Sequence, residues 1–500
     1  MGAIAHLNEL SRREPGAGEA PCGLPLAPSL YPRQPRGRHG LGGPGAGEVV
    51  ANQRLRLCGA MLEAVAEHGY DALTVRELCE RAQVSTRDLY GHFNGGMHEC
   101  FLATFEQIAD VALERLGEAQ RQGGHPCERL RLVILESARA VCEEPAAARV
   151  LLLAPFAAGP CALERMHAWG ERFELLLAAG LHGAGGRLRP PSPLLGKGIL
   201  AGVARVARAR LLVGGEHEMA GVGEQLTDWA LCCAQAPPQA AILEGSFSAR
   251  PYSPSAVLIK ARRRGDERTR ILAATATLAA SEGYGGLRER QIRKAAKVSC
   301  KQFHAHFADE WAAFVGVLDL LWAGALAHAS AAGQTARDWP QGLARAVSAL
   351  LGCLAADPVF ARLAFVEVLA AGRRGVRGRE RLIGGAARRL MMSAPAGQRP
   401  SGLAAEASVA AVCAIARHRI STGETHRLAA DAPMLSFIAL APAIGPHAAV
   451  QAIAGETTAN VSCAAPRARA LPSLSGASAR TSVQFDPSQN RGGSNHPVRC

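Results

Sequence analysis

The chain has 500 residues, 48% of them hydrophobic but only 5% aromatic, and it carries a formal net charge of +13. That length suits two to four domains. Abundant Ala and Gly, without sustained alternation of β-branched and aromatic residues, exclude a β-rich fold and predict an all-α one. No uninterrupted apolar run reaches the roughly 18–20 residues that span a bilayer, and MGAIAHLNELSRREPG at the start has no basic-then-apolar signal. We therefore expect a soluble cytoplasmic protein with no membrane partner.

Motifs of enzymes and metal sites are missing from the sequence. The fourteen cysteines include no C-x-x-C pair, so we expect reduced, mostly buried thiols and neither a metal nor a cofactor. The adjacent Cys232 and Cys233 leave a redox switch as the alternative. GLGGPGAG resembles a phosphate loop only in its glycines, and the His-Glu pairs at 98–99 and 217–218 lack the second histidine of a zinc protease. These observations predict a protein that is not an enzyme.

Breaks in the helical pattern divide the chain into seven segments. Both ends are rich in Gly, Pro, Ser and Arg, a composition that favours disorder. The predicted segments are a disordered arm (1–47), a first small helical domain (48–98), a first larger helical domain (99–236), a linker (237–257), a second small domain (258–312), a second larger domain (313–455) and a disordered tail (456–500).

An internal repeat is the strongest feature of this organisation. Residues 68–93 align with 282–307 without a gap, and nine of the 26 pairs are identical. Downstream, CEEPAAARVLLLAPFAAG around Pro145 parallels AADPVFARLAFVEVLAAG around Pro358 at nearly the same offset. The repeat predicts that a whole unit of some 200 residues occurs twice in tandem.

Each unit opens with a pattern typical of three short helices. In the first unit, Thr74 and Glu77 form the T-x-x-E signature of a capping box, and Ser85 can cap the next helix, TRDLYGHF. Leu89 and Phe93 of that helix face inward. The first helix of the unit, LRLCGAMLEAVAEHGY, places Leu57, Met61, Leu62 and Val65 on one apolar face and ends at Gly69.

Two short helices joined by a tight turn predict a helix-turn-helix, whose second helix presents its leading end to base edges in the major groove. Arg can pair with guanine through two hydrogen bonds, Thr can contact a base or its methyl group, and Tyr or His can bind phosphate. Local packing or capping is the alternative role for His92 and His306. The candidate DNA-binding residues are Thr74, Ser85, Thr86, Arg87, Tyr90 and His92 in the first unit, and Arg288, Ser299, Cys300, Lys301, Gln302, His304 and His306 in the second.

The string GYDALTVRELCERAQVSTRDLYGHF resembles the DNA-binding domain of the TetR family of bacterial transcriptional regulators, and GYGGLRERQIRKAAKVSCKQFHAHF resembles it more loosely. The likeness extends in general pattern over 48–236 and 258–455. It implies a helical effector-binding and dimerising domain after each small domain, double-stranded DNA as partner, and a repressor released by a small apolar effector. A tandem chain would supply both DNA-reading helices itself as an intramolecular pseudo-dimer associated with the nucleoid. Further homodimerisation stays open.

Several positions depart from the family pattern. Members usually carry Gly in the turn where this chain has Gln83 and Lys297, and a left-handed backbone would cost these residues about 1–2 kcal/mol. The phosphate-binding Lys of the family is here Gly96 and Glu310. In the second unit, Arg288 replaces the threonine that starts the helix. Both units are therefore expected to bind DNA more weakly than typical members, or to contact it elsewhere.

Charge also separates the two units. Residues 48–99 contain five Arg or Lys against eight Asp or Glu, whereas 258–310 contain twelve against six. KARRR (260–264) is interpreted either as a basic arm along the phosphates or as a solvated linker run. The acidic first unit motivates an alternative function: a protein-interaction module with degenerate helix-turn-helix domains.

Large side chains in the larger domains are candidates either for an effector pocket or for plain core. They are Phe156, Met166, Trp169 and Phe173 in the first unit, and Trp322, Phe360 and Phe365 in the second. The last helices of the units, LLGKGILAGVARVARARLLVGG, EQLTDWALCC and AAEASVAAVCAIARHRI, are rich in small residues. Small residues permit close helix approach, so these helices are the candidates for packing between the units.

Overall fold

The structure is a computed structural model that describes residues 46–181, 193–234, 252–261 and 265–459. Every regular element in these ranges is helical, which confirms the all-α prediction. Nearly all of the predicted arm and tail, most of the predicted linker and Arg262–Arg264 of the KARRR run lie outside the described residues.

The first half of the chain folds into consecutive helices. Prolines start several of them, because a proline at the first helical position needs no hydrogen-bond partner for its nitrogen. The helices are α1 (Ala46–His68), α2 (Val75–Ala82), α3 (Thr86–His92), α4 (Gly96–Gln122), α5 (Pro126–Glu143), α6 (Pro145–Leu152), α7 (Pro155–Ala158), α8 (Pro160–Leu181), α9 (Pro193–Val213) and α10 (Met219–Ala234), with 3₁₀ turns at Tyr70–Ala72 and Glu216–Glu218.

The second half follows the same order of elements. Its helices are α11 (Pro254–Ala261), α12 (Glu267–Glu282), α13 (Glu289–Ala296), α14 (Cys300–His306), α15 (Glu310–Gly333), α16 (Trp339–Ala356), α17 (Pro358–Arg362), α18 (Val368–Ala370), α19 (Arg373–Ser393), α20 (Gly402–Ser421), α21 (Leu428–Ile444) and α22 (Pro446–Ala459). A π-helical turn, Leu363–Glu367, joins α17 to α18, and 3₁₀ turns lie at Tyr284–Gly286, Ala396–Gln398 and Thr425–Arg427.

Helix starts recur along the chain at a nearly constant spacing. α2 starts at Val75 and α13 at Glu289, 214 positions later, and α5 and α16 start at Pro126 and Trp339, 213 positions apart. The 3₁₀ turn before α10 starts at Glu216 and the one before α21 starts at Thr425, 209 positions later. The sequence similarity around the small domains is therefore accompanied by a matching order and length of helices through most of each half.

The two halves meet through α9 and α20, which pack along each other. At Gly198 of α9, a Cβ atom would lie 3.1 Å from Ile415 and 3.4 Å from Ala411, so the missing side chain lets the helices approach closely. Trp229 of α10 donates from Nε1 to Ser408 Oγ at 3.0 Å, and this hydroxyl donates to Ile438 O at 2.9 Å. Helices that the sequence marked as rich in small residues thus form the contact between the halves.

Charged side chains flank this contact. Glu380 of α19 lies 3.0 Å from Arg205 Nε and 3.6 Å from Arg208 Nε of α9, and all three residues are buried. Burial lowers the pKa of Arg208 to about 10. Arg417 of α20 contacts His167 Nε2 of α8 at 3.1 Å, and burial together with the Arg417 charge lowers the pKa of His167 to about 4. Neutral His167 therefore accepts the hydrogen bond from Arg417.

The segment predicted to be a linker contains the start of a helix. α11 begins at Pro254 because the buried carboxylate of Asp357 fixes the residues around it. Asp357 accepts hydrogen bonds from Ser253 Oγ at 2.8 Å, from Ser255 N at 2.8 Å and from Ser255 Oγ at 2.6 Å. The linker boundary at 257 was therefore placed too late.

Among the residues that the structure describes, two helical segments are long and apolar enough, by length and composition, to cross a membrane: Glu310–Gly333 and Thr425–Ile444. Trp339–Ala356 with Pro358–Ala370, a pair bent by 99°, would be a third span. The sequence analysis considered only uninterrupted apolar runs and did not single out these helices, because charged residues such as Asp319 interrupt the run without lowering its mean hydropathy enough. In the structure 44% and 56% of the two apolar windows are buried, and α16 packs against both helices.

Candidate DNA-binding heads and ligand cavity

The two small three-helix units are called head 1 (α1–α3) and head 2 (α12–α14). In head 1, Thr74 caps α2 by accepting a hydrogen bond from Glu77 N at 3.2 Å, and Ser85 caps α3 by accepting one from Asp88 N at 3.1 Å. Both helix starts are therefore where the sequence predicted them. These caps satisfy backbone donors that a helix start leaves without partners.

The turn between the two helices is left-handed in both heads. Gln83 has φ 51° and Lys297 has φ 55°, at the two positions where the TetR-like pattern has glycine. A buried arginine of α1 stabilises the first turn, since Arg56 donates to Ala82 O and, at 2.8 Å, to Gln83 O. In head 2, Arg270 donates to Ala296 O at 3.2 Å. These arginines, which sequence reasoning missed, compensate for part of the strain in each turn.

Helix α3, the second helix of the helix-turn-helix in head 1, buries one face and exposes its leading end. Leu89 and Phe93 are fully buried, as predicted. Ser85, Thr86 and Arg87 are exposed, and Arg87 has no hydrogen-bond or ion-pair partner within the described ranges. The leading end of α3 therefore offers a hydroxyl and a guanidinium to solvent.

Tyr90 is half exposed and leans over the start of α4. At Gly96, which has φ 61°, an added Cβ atom would lie 2.8 Å from Tyr90 Cε1. The glycine that replaces the family's phosphate-binding lysine therefore makes room for the tyrosine ring. The phenol hydroxyl is the polar group that α3 presents beside this position.

His92 is hydrogen-bonded to residues of α1. Its Nε2 atom lies 2.9 Å from Gln53 Oε1, and its carbonyl accepts from Arg54 Nη1 at 3.2 Å. Partial burial lowers the pKa of His92 below its ordinary value, although Asp88 opposes this shift. The local packing role that the sequence left open for His92 agrees with these contacts.

Two arginines on α2 form ion pairs with glutamates. Arg76 Nε lies 2.7 Å from Glu80 Oε1, and Arg81 Nη2 lies 2.7 Å from Glu67 Oε2. Because these cations are already neutralised by carboxylates, head 1 offers Arg87 as its exposed guanidinium near the leading end of α3.

Head 2 has the same frame but uses its polar residues differently. Ser299 caps α14 by accepting from Gln302 N at 3.2 Å, and Gln302 Oε1 accepts from Ser299 N at 2.7 Å, which completes a capping box. Gln302 Nε2 also donates to Glu267 Oε1 at 2.5 Å. Arg288 donates to the carbonyls of Gly285 and Leu287, both at 2.8 Å. Both candidate side chains therefore have intramolecular partners in this structure.

Each of the two histidines of α14 lies beside a glutamate. His306 Nε2 is 3.4 Å from Glu267 Oε2, and His304 Nε2 is 3.6 Å from Glu289 Oε2. Cys300 Sγ is 4.0 Å from the other carboxylate oxygen of Glu289. The sequence analysis did not single out Glu289, because it precedes the cysteine by 11 positions and matches no familiar metal-binding spacing.

The exposed cations of head 2 form no ion pair with a carboxylate in the part of the chain that the structure describes. Lys301 stands at the leading end of α14, and Arg290 and Lys294 stand on the exposed side of α13. Together they give head 2 a basic surface that head 1 does not have.

The larger domain of the first half contains a cavity of about 80 Å³. Two predicted pocket residues, Trp169 and Phe173, line it, while Phe156 and Met166 are not among its lining residues. Trp169 Nε1 is buried and has no hydrogen-bond partner among described residues. The other lining residues are Ala112, Arg115, Leu116, Ser137, Ala140, Val141, Ala148, Leu151, Leu152, Leu200, Val203, Ala204, Ala207 and Met219.

The aromatic residues predicted to line a pocket in the second half pack on one another. The ring of Trp322 lies 5.1 Å from that of Phe360, edge to face, and 5.9 Å from that of Phe365. Phe360 is fully buried. These three predicted pocket residues therefore form part of a packed core in this structure.

The match to a family model agrees with the interpretation of head 1. Residues 60–104 match the family model described as "Bacterial regulatory proteins, tetR family". Among solved structures, a TetR family transcription regulator from Marinobacter aquaeolei VT8 is 22% identical, with a TM-score of 0.28 over 35% of this chain and 94% of that chain. No curated protein matches the chain.

Proposed function

We propose that this protein is a sequence-specific DNA-binding transcriptional regulator of the TetR type, a cytoplasmic repressor whose two heads read one operator from a single chain. The observation that carries this proposal is that the leading ends of α3 and α14, the second helices of the two helix-turn-helix motifs, are exposed. Ser85, Thr86 and Arg87 are exposed in α3, as are Ser299, Cys300 and Lys301 in α14. A helix-turn-helix reads base edges with these positions, and the match of 60–104 to the tetR family supports the same function.

The single-chain arrangement draws support from two features. Helix starts recur at offsets of 214 to 209 positions, as tandem duplication would leave them. α9 and α20, which occupy equivalent places in the two halves, pack along each other. Pairing of equivalent helices is the geometry of a two-fold interface, and linking the halves makes the second DNA contact intramolecular.

Differences between the two second helices favour an asymmetric operator. Thr86 and Arg87 of α3 correspond to Cys300 and Lys301 of α14, so the two leading ends present different chemistry to a base pair. We therefore expect two unlike half-sites, roughly 34–36 Å apart or a multiple of that distance.

The first half is the proposed site of the effector. Its cavity of about 80 Å³ is mostly apolar and must widen to admit more than a few atoms. The unpartnered Nε1 of Trp169 would donate a hydrogen bond to the ligand. The proposed effector is thus a small apolar molecule that carries one acceptor.

Selection of bound DNA tests the proposal. The full chain is incubated with random or genomic fragments at two salt concentrations, and the retained sequences are compared with those selected by Thr86→Ala/Arg87→Ala and by Cys300→Ala/Lys301→Ala. We expect an asymmetric site whose two halves are each relaxed by one double variant. If the chain retains no preferred DNA sequence, it does not read DNA. That result would favour the alternative of a protein-interaction module, which the acidic composition of head 1 suggests.

Stoichiometry tests the single-chain arrangement separately. The mass of the complex on the selected operator should correspond to one chain per operator. Two chains on a palindromic site would overturn the pseudo-dimer while leaving DNA binding intact.

A further inference from the structure

Three different metal-ligating side chains meet at the leading end of α14. Glu289 belongs to the first turn of α13, and Cys300 and His304 belong to α14. One ligand atom from each, a carboxylate oxygen, Sγ and a ring nitrogen, lie within 4.8 Å of one another. We propose that this cluster binds a divalent transition-metal ion, with Zn²⁺ the best fit.

The spacing within α14 is suited to chelation. Cys300 and His304 are four residues apart, so they project from the same face of the helix, one turn from each other. The same i, i+4 arrangement holds the two histidines of helical zinc sites. Because Cys300 and His304 are exposed and Glu289 is partly exposed, a hydrated ion has direct access to all three.

The separations between the ligand atoms lie close to those of a tetrahedral site. Zinc bonds of about 2.0–2.3 Å at tetrahedral angles place ligand atoms about 3.3–3.6 Å apart. Here Glu289 Oε2 lies 3.6 Å from His304 Nε2, Glu289 Oε1 lies 4.0 Å from Cys300 Sγ, and one ligand atom from each of the three residues lies within 4.8 Å of the other two. Side-chain rotation alone can close the remaining gaps, since the backbones of both helices are fixed by the packed head.

Charge and ligand type favour Zn²⁺ over Mg²⁺ or Ca²⁺. A thiolate and an imidazole are ligands of borderline and soft ions, whereas the alkaline-earth ions prefer oxygen. Binding displaces the Cys300 thiol proton to solvent, and the thiolate with the carboxylate then balances the charge of the ion. Three protein ligands leave the fourth position to water.

Arg293 provides the support that such a site needs. Its Nε atom lies 3.0 Å from Glu289 Oε1, and Oε2 faces His304. The guanidinium can keep its pairing with one oxygen while the other binds the ion, which orients the carboxylate. The metal would thus crosslink α13 and α14. Cys300 and His304, as its ligands, would then not be available to contact DNA.

Head 1 lacks the three metal-ligating residues at the equivalent positions and therefore serves as an internal comparison. At the positions 214 residues earlier it has Val75, Thr86 and Tyr90, and none of these side chains is a ligand for Zn²⁺ in this setting. The proposed site therefore belongs to head 2 alone, whatever the two heads bind.

Titration of the full, reduced, metal-free chain with Co²⁺ tests the site without DNA. One equivalent should give the visible bands of a four-coordinate ion and a thiolate-to-cobalt charge-transfer band, both removed by Zn²⁺. Cys300→Ser should abolish the charge-transfer band, and Glu289→Gln and His304→Gln should weaken binding at least tenfold. Cys161→Ser, which removes another exposed cysteine, should leave the spectrum unchanged; circular dichroism checks that each variant folds.

Alkylation of individual cysteines gives a second measurement. Zn²⁺ should slow modification of Cys300 by iodoacetamide and leave Cys161 unaffected, as read from peptide masses. Equal rates for Cys300 with and without Zn²⁺, or a cobalt band that persists in Cys300→Ser, would overturn the proposal. A failure of DNA binding alone would leave it standing.

Discussion

The two heads share an interior and differ on the surface. Leu89 and Phe303, 214 positions apart, are both fully buried, and Arg56 and Arg270 donate to equivalent carbonyls at the turn. On the outside, Thr86 and Tyr90 of α3 correspond to Cys300 and His304 of α14. A helix-turn-helix can keep its packing and its caps while each copy acquires a different outer chemistry.

The larger domains show a related contrast. In the first half, Trp169 and Phe173 line a cavity, whereas in the second half Trp322 stacks edge to face with the buried ring of Phe360. The predicted pocket aromatics therefore border open space in the first half and pack on one another in the second half. This contrast makes the first half the better candidate for ligand binding.

The largest expected effect concerns base reading by head 1. Arg87→Ala should weaken binding to the selected operator by about 1–3 kcal/mol, because a guanidinium can form two hydrogen bonds to one guanine. The preference at one base pair should relax at the same time. Competition titrations with single-base operator variants measure both effects, and Arg87→Lys keeps the charge as a control. Uniform weakening across all variants would show that Arg87 contacts phosphate.

The exposed cations on α13 of head 2 should contribute affinity without sequence preference. Replacing Arg290 and Lys294 with Ala should lower affinity equally for all fragments and reduce the slope of log affinity against log salt by about 1 for each phosphate that the variant no longer neutralises. Filter binding at several salt concentrations measures the slope. Arg389→Ala, an exposed change on α19, is the control and should leave it unaltered.

The two strained turns should respond alike to glycine. Gln83→Gly and Lys297→Gly should each stabilise their head by about 1 kcal/mol, because glycine adopts positive φ without a Cβ clash. Hydrogen exchange of the head amides measures the change in each head separately. Gln83→Ala is the matched control, since alanine shortens the side chain without relieving the backbone. A stabilisation by Ala equal to that by Gly would contradict this explanation.

The smallest expected effect is a pH dependence of head 1. Partial burial lowers the pKa of His92, so the folded head binds fewer protons than the unfolded chain once the pH falls below about 6.5. The stability of head 1 should therefore decrease as the pH falls from about 7.5 to about 5.5, the range around the ordinary pKa of histidine. His92→Gln, which can still contact Gln53, should remove part of this dependence. Amide exchange in α1 and α3 at both pH values measures it, and identical slopes in the two proteins would refute it.

Local signals made the heads predictable. Thr74 and Ser85 cap helices as their positions implied, and the apolar period identified Leu89 and Phe93 as buried. The contacts of Asp357 with Ser253 and Ser255 were missed, because the carboxylate comes from more than 100 positions away. No local pattern encodes such a pairing.

The sequence by itself determined the helical class, the helix starts at Thr74 and Ser85 and the resemblance between the two halves, because caps, turns and helical periodicity act over a few neighbouring residues. Only the tertiary structure decided where the cavity lies, that α9 packs against α20, and that Glu289 lies beside Cys300 and His304. These outcomes depend on which distant side chains share the same space, and that is set by the packing of whole helices.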